Sequence, residues 1–208
     1  MPRKIRQKKF YKHIRELEKL KFGEFINEQI YGPQFTNNFY FAPSWHIGCG
    51  LLTEDLIKDI RDNGRQILSV GSGAAYLERF LVDTMDVKRE QITLSDLIPI
   101  MPESFHRFVF DMYRTWPNFR KEFDYVIFPE SVLLNCRFDN DSEKQKGLYH
   151  LIESSLAALK PLGQIRINGH CQIEENVEMV AALLATDHPD SRLTYSSQLI
   201  VVEKGYKS

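Results

Sequence analysis

The chain has 208 residues, 43% of them hydrophobic and 26% charged, with a formal net charge of −1. That length supports one sizeable core without help from disulfides or metals, and the composition is far from that of disordered or collagen-like chains. No apolar run approaches the roughly 20 residues of a membrane span, the N-terminus lacks the apolar stretch of a secretion signal, and Cys49, Cys136 and Cys171 show no CxxC pairing, so a soluble cytoplasmic protein is expected.

Charge is unevenly placed along the chain. Residues 1–21 carry nine Lys/Arg against two Glu, leaving 18 basic and 26 acidic residues elsewhere. Phe10, Ile14 and Leu17 recur at helical spacing within this segment, which predicts an amphipathic helix with a solvated charged face. Attraction to nucleic acid is the sharper alternative for the basic face, but no interleaved stacking pattern accompanies it. An aromatic, loop-rich stretch follows, "YGPQFTNNFYFAPSWHIGCG", interrupted by Pro33, Pro43, Gly48 and Gly50. With the first helix it makes residues 1–52 a cap ahead of a main domain over 53–208.

That main domain alternates. "LTEDLIKDI" starts at Thr53 with acids behind it and closes at Asn63-Gly64, the pattern of a capped helix. Short β-rich runs at 66–70, 91–95, 107–110, 123–128 and 164–168 are separated by helical or looped segments, which predicts βαβ units and a parallel sheet. The helix "EKQKGLYHLIESSLAALK" carries Leu148, Ile152, Leu156 and Leu159 on one face and stops at Lys160-Pro161. A second helix, "EENVEMVAALLAT", follows the fifth strand. "RLTY" and "QLIVVEK" are joined by only "SS", too short for a parallel crossover, so the last two strands form an antiparallel hairpin.

The first strand runs into Gly71-Ser72-Gly73 and then a helix, an arrangement that puts a ligand site at the carboxyl edge of an open α/β sheet. A dinucleotide fingerprint would need its third glycine at Tyr76, and no GxxxxGK[ST] occurs, so a dehydrogenase and a P-loop are both disfavoured. The register Ser69-Val70-Gly71-Ser72-Gly73-Ala74-Ala75 instead resembles motif I of the class I S-adenosylmethionine-dependent methyltransferases, an acid, one residue, then GxGxG. Two glycines match, Ser69 stands where the family has its acid, and Ala75 stands at the third glycine.

The downstream order is similar to that family as well. "ITLSDLIP" resembles its second strand, which implies that Asp96 accepts hydrogen bonds from ribose hydroxyls and that Leu97 lies beside the cofactor. "RFVFDMY" resembles the third strand, with Asp111 facing the adenine amino group and Met112 against the ring. "FDYVIFPESVLL" resembles the fourth, bringing Phe128 and Glu130 to the site, and "ALKPLGQIRI" resembles the join to the fifth. The resemblance implies a doubly wound, Rossmann-like α/β sheet of seven strands with a terminal hairpin. It also implies an S-adenosylmethionine cofactor bound by Gly71, Ser72, Gly73, Asp96, Leu97, Asp111, Met112 and Phe128.

Plainer roles stay open for several of these residues. Asp96 suits a helix cap ahead of Pro99, Asp111 a polar loop end, and Glu130 the start of a helix after Pro129. Glu130, His46 and His170 are the candidates for catalytic groups, although methyl transfer from a sulfonium does not require a base. "FPES" departs from the Asn/Asp-Pro-Pro-aromatic motif of many methylases of bases and glutamine, and the six aromatics between Tyr31 and Trp45 suit a lid over a small molecule with an apolar part, or a layer of core over the sheet. No metal site is expected. The competing functions are a methyltransferase fold that has lapsed into a binding or scaffold role, given Ser69 and Ala75, and transfer of another group such as aminopropyl from a related sulfonium.

Overall fold

The computed structural model describes residues 3–21, 43–98, 102–129, 131–132, 134–168, 174–196 and 198–205. Among the described residues two helices come first, α1 (Arg3–Lys21) and α2 (Pro43–Gly48), followed by α3 (Glu54–Asn63). Thr53 caps α3 by accepting the Leu56 backbone N–H at 3.2 Å, and Gly64 ends it at φ +67, a left-handed conformation that costs glycine little. Then come β1 (Ile67–Val70), α4 (Tyr76–Met85), β2 (Ile92–Asp96), β3 (His106–Val109) and β4 (Phe123–Pro129). α5 (Leu134–Arg137), α6 (Asp141–Ala158), β5 (Leu159–Asn168), α7 (Glu174–Asp187), β6 (Arg192–Ser196) and β7 (Leu199–Glu203) follow among the described residues.

The strands form one sheet in the order β3-β2-β1-β4-β5-β7-β6. β1 to β5 run parallel, while β7 is antiparallel to both β5 and β6, so the terminal hairpin is present as expected. The order runs outward from β1 through β2 to β3 on one side and from β4 through β5 on the other. A topological switch point therefore lies between the carboxyl ends of β1 and β4.

Strand periodicity divides the apolar residues between the two faces. Leu68, Val70, Val126, Phe128, Ile165, Ile167, Ile200 and Val202 pack against α6 and α7. Ile67, Ile92, Leu94 and Ile127 pack on the other face with Ile57 and Ile60 of α3, Leu77, Phe80 and Leu81 of α4, and Ile47 of α2. Ile14 of α1 is fully buried in this second cluster, with Phe10 and Leu17 partly buried beside it, as their spacing predicts.

Two boundaries differ from expectation. α6 stops at Ala158, and Leu159 already belongs to β5, paired with Phe123 across a register shift. The chain can turn there because Leu162 takes φ +66 and Gly163 approaches the Asp124 carbonyl too closely for a side chain. Residues 43–48 are helical where a loop was expected, since Pro43 is tolerated in a helix's first turn and the buried Ile47 anchors the segment to the second core. The remaining aromatic stretch before Pro43 lies outside the described residues.

Candidate functional site

A hollow of about 280 Å³ opens at the switch point. Its floor is the turn Gly71–Ala74 after β1, and its walls come from Asp96 and Leu97 at the end of β2, Met112 after β3, Pro129 and Ser131 at the end of β4, Tyr76, Leu77 and Glu78 of α4, and His46 of α2. The volume is near the lower end, roughly 300 Å³, of small-molecule sites.

The two glycines of the turn do different work. Gly71 has φ +71, and a Cβ there would lie 2.2 Å from Ser131 Cβ, so this position is closed both by conformation and by the neighbouring strand end. Ser131 in turn donates its hydroxyl to the Val70 carbonyl at 2.6 Å, tying β1 and β4 together at the switch point. Gly73 has φ +55 with nothing within 4 Å of where a Cβ would stand, leaving its face of the turn open to the hollow. The turn keeps its own donors busy. The N–H groups of Gly71 and Ser72 donate to the Ser95 carbonyl at 2.7 and 3.0 Å, and that of Gly73 donates to Asp96 Oδ2 at 2.8 Å. The turn thus offers shape more than free N–H groups.

Asp96 is the hinge of this arrangement. Its Oδ2 fixes Gly73, and its Oδ1 accepts the Ile98 N–H at 3.3 Å, which aims the carboxylate along the rim. Leu97 beside it is 60% exposed, an apolar surface turned toward the hollow rather than the core. Met112 also borders the hollow, held by Trp116 Nε1, which donates to the Met112 carbonyl at 2.7 Å. Gly71, Ser72, Gly73, Asp96, Leu97 and Met112 are therefore brought together.

Two other residues proposed for the cofactor are not at the hollow. The Asp111 carboxylate pairs with Arg137 at 2.7 Å and accepts the Tyr113 N–H at 3.0 Å, outside the lining. Phe128 is fully buried in the core under α6 and α7, its ring 6.2 Å from that of Trp116, because its place in β4 points it away from the ligand edge. Glu130 and His170 lie outside the described residues, as does Cys171. Cys49 is in no disulfide, and the described residues contain no cluster able to hold a metal.

His46 sits on α2, not on a loop, and reaches the hollow from above the sheet. Burial holds its imidazole down at about 4. The ring is neutral near pH 7. Asn168 Nδ2 lies 3.2 Å from His46 Nδ1, so the amide donates to Nδ1 and the ring proton resides on Nε2. In that tautomer His46 offers a donor to a ligand and is not a ready base.

Glu78 has no counterpart among the residues singled out from sequence. It lies in the first turn of α4, is 1% exposed, and takes a hydrogen bond from the Ser69 hydroxyl at the end of β1. Burial pushes its carboxyl up to about 7, opposed by the Ser69 bond and its own backbone N–H. Its Oε2 is buried with no hydrogen-bond partner among the described residues. A signal for it existed in the sequence: a serine at the strand end, with a glutamate one turn into the following helix. Ala75 is also clarified. It adopts φ +59, yet its methyl is fully buried in the second core, so it does not narrow the ligand side of the turn.

A scan of family models and a search of curated proteins find no match to this sequence. Solved structures do match. An S-adenosylmethionine-bound amino pentose methyltransferase from Micromonospora echinaspora is similar at 12% identity and a TM-score of 0.52, over 77% of this chain and 91% of that one. A protein from Pyrococcus horikoshii is similar at 14% identity and a TM-score of 0.51, over 82% and 95%. TrmN from Thermus thermophilus matches at 11% identity and a TM-score of 0.51, over 83% of this chain but 52% of its own length. At these identities the likeness is one of architecture: the chain has the seven-strand fold of the S-adenosylmethionine-dependent methyltransferases.

Proposed function

We propose that this protein binds S-adenosylmethionine in the hollow at the switch point and catalyses methyl transfer to a small molecule. The observation that carries this is the pairing of an open glycine, Gly73, with the Asp96 carboxylate that holds it. Together they place an unobstructed backbone surface next to an acceptor suited to two adjacent hydroxyls. Leu97 and Met112 add apolar surface for a flat ring on the same side. An acceptor beside apolar surface is what the ribose and the ring of an adenosine can use.

When bound, S-adenosylmethionine supplies a methyl group already made electrophilic by its sulfonium. The chain's own task is then to orient an acceptor and to exclude water. Asp96 fixes the nucleoside end, and the Gly71–Ala74 turn shapes the floor. Neutral His46 can donate through Nε2 to an oxygen of the ligand, but a proton released by the acceptor has to leave by another route. That division suits an acceptor nitrogen or oxygen that is already nucleophilic. The amino sugar methyltransferase among the similar structures supports a small acceptor.

The test is calorimetry with S-adenosylmethionine and S-adenosylhomocysteine on the wild type and on Asp96→Ala. Binding in the wild type, weakened about tenfold or more in the variant, is the expected result, since two charge-assisted hydrogen bonds are lost. No heat and no thermal stabilisation with either ligand would favour a lapsed, scaffold function for the same fold.

A further inference from the structure

We infer that Glu78 is the group in the hollow that receives a ligand ammonium, its unpartnered Oε2 accepting the hydrogen bond that the described fold does not supply. The inference rests on the cofactor reading above and names the part of that ligand which Glu78 would meet.

Two acids line the hollow, and the fold treats them differently. Asp96 has both oxygens engaged by backbone N–H groups, those of Gly73 and Ile98. Glu78 has one oxygen engaged, by Ser69, and the other buried without a partner among the described residues. A buried carboxylate oxygen left in this state costs more than a surface one, and natural structures keep few of them without a reason. Its neighbours in the hollow do not relieve it: Ser69 already donates to Oε1, His46 turns Nδ1 toward Asn168, and Asp96 carries the same charge. A burial cost of this kind is offset when a cation that can also donate hydrogen bonds enters.

Ligand chemistry narrows the choice. An adenosyl sulfonium carries two cationic centres, but its sulfur has no hydrogen to give. Its ammonium has three. Ribose hydroxyls and the adenine amine are neutral and do not balance a buried carboxylate. The α-amino group is thus the ligand group that satisfies both the charge and the open lone pairs of Glu78. The same logic gives Ser69 a role, because its hydroxyl holds Oε1 and leaves Oε2 for the ligand.

Calorimetry with two probes separates this from general damage to the site. S-adenosylhomocysteine has the amino acid end, and 5′-methylthioadenosine has the same thioether nucleoside without it. In Glu78→Gln and in Glu78→Leu, S-adenosylhomocysteine should bind about tenfold or more weakly than in the wild type, while 5′-methylthioadenosine stays within about twofold. The leucine variant removes a buried carboxylate, so its unliganded melting temperature should rise, which guards against mistaking misfolding for lost recognition. Equal weakening of both probes, or no weakening of either, overturns the assignment, as does intact S-adenosylhomocysteine affinity with lost turnover. If the wild type binds neither probe, the cofactor reading fails first and takes this inference with it.

Discussion

Glu78 and His46 face one hollow with opposite shifts, and their linkage to stability can be worked out separately. Glu78 is raised to about 7 from 4.5, so between those values the folded chain binds the extra proton and stability falls as pH rises. His46 is lowered to about 4 from 6.5, so there the unfolded chain binds the extra proton and stability rises with pH. Each full window is worth on the order of 3 kcal/mol. The windows overlap, and from about pH 4.5 to 6.5 the two slopes offset each other. Asp59 and Asp124, whose carboxyls are held low despite desolvation by Tyr125 and Arg65 and by Gln66 and Lys160, act mainly below that range. Urea unfolding at several pH values should therefore show a nearly flat wild type, whereas Glu78→Gln should gain roughly 2 to 3 kcal/mol between pH 4.5 and 6.5. A variant profile as flat as the wild type would mean that these two groups do not titrate as a compensating pair. Ala75 makes a second prediction at this scale. Left-handed strain of about 1 to 2 kcal/mol is relieved in Ala75→Gly, but about 0.8 kcal/mol of methyl burial and the extra freedom of an unfolded glycine are lost. The substitution should stay within about 1 kcal/mol of neutral by chemical denaturation, which is why alanine is tolerated at this point in the turn.

The elements that make the site were legible in the chain to different degrees. Local signals carried far: Thr53 and Gly64 bound α3 as their residue types require, the five parallel strands and the hairpin fall where β-rich runs stand, and the Gly71–Gly73 turn leads into α4. What depends on partners distant in sequence was not legible. Phe128 and Ser131 lie three residues apart, yet one faces the core and the other braces Gly71, a difference fixed by strand register and by packing against β1. Asp111 looks like a ligand group until Arg137, from another element, occupies it. Glu78 is hidden because its acid stands in the first turn of α4, while the motif that the turn resembles has its acid on the strand. The glycines show the same contrast experimentally. Gly71→Ala forces both a left-handed alanine and a clash with Ser131, so it should cost about 3 kcal/mol or more. Gly73→Ala meets only the conformational penalty, about 1 kcal/mol, but sets a methyl on the hollow's floor and should weaken S-adenosylhomocysteine strongly. Denaturation and calorimetry on the pair would thus give opposite rankings, and matching rankings would contradict the proposed division between a bracing glycine and a ligand-facing one.

At the scale of the molecule, the sheet separates two apolar clusters, and the walls of the hollow rest unequally on them. His46 and Glu78 belong to α2 and α4, which pack in the cluster shared with α1, α3, β1 and β2. α2 is further tied down by the half-buried Arg166 of β5, which donates to the carbonyls of Gly50 and Leu51 at 2.6 and 2.7 Å just after that helix. α6 and α7 fill the other cluster, and α7 contributes nothing to the described lining. A cavity made on either side should cost similar stability, because the transfer and cavity terms depend on local packing and not on distance from a site. Ligand affinity should follow only one side. Ile14→Ala removes a fully buried side chain from α1 under α2 and should cost about 2 to 4 kcal/mol while weakening S-adenosylhomocysteine severalfold, since α2 and His46 lose part of their seat. Leu184→Ala in α7 should cost about the same and leave that affinity within about twofold of the wild type. Urea denaturation matched with calorimetry on the two variants measures both quantities. Equal loss of affinity would mean that the sheet transmits damage from either face, and unchanged affinity in Ile14→Ala would mean that α2 keeps its position through Arg166 alone.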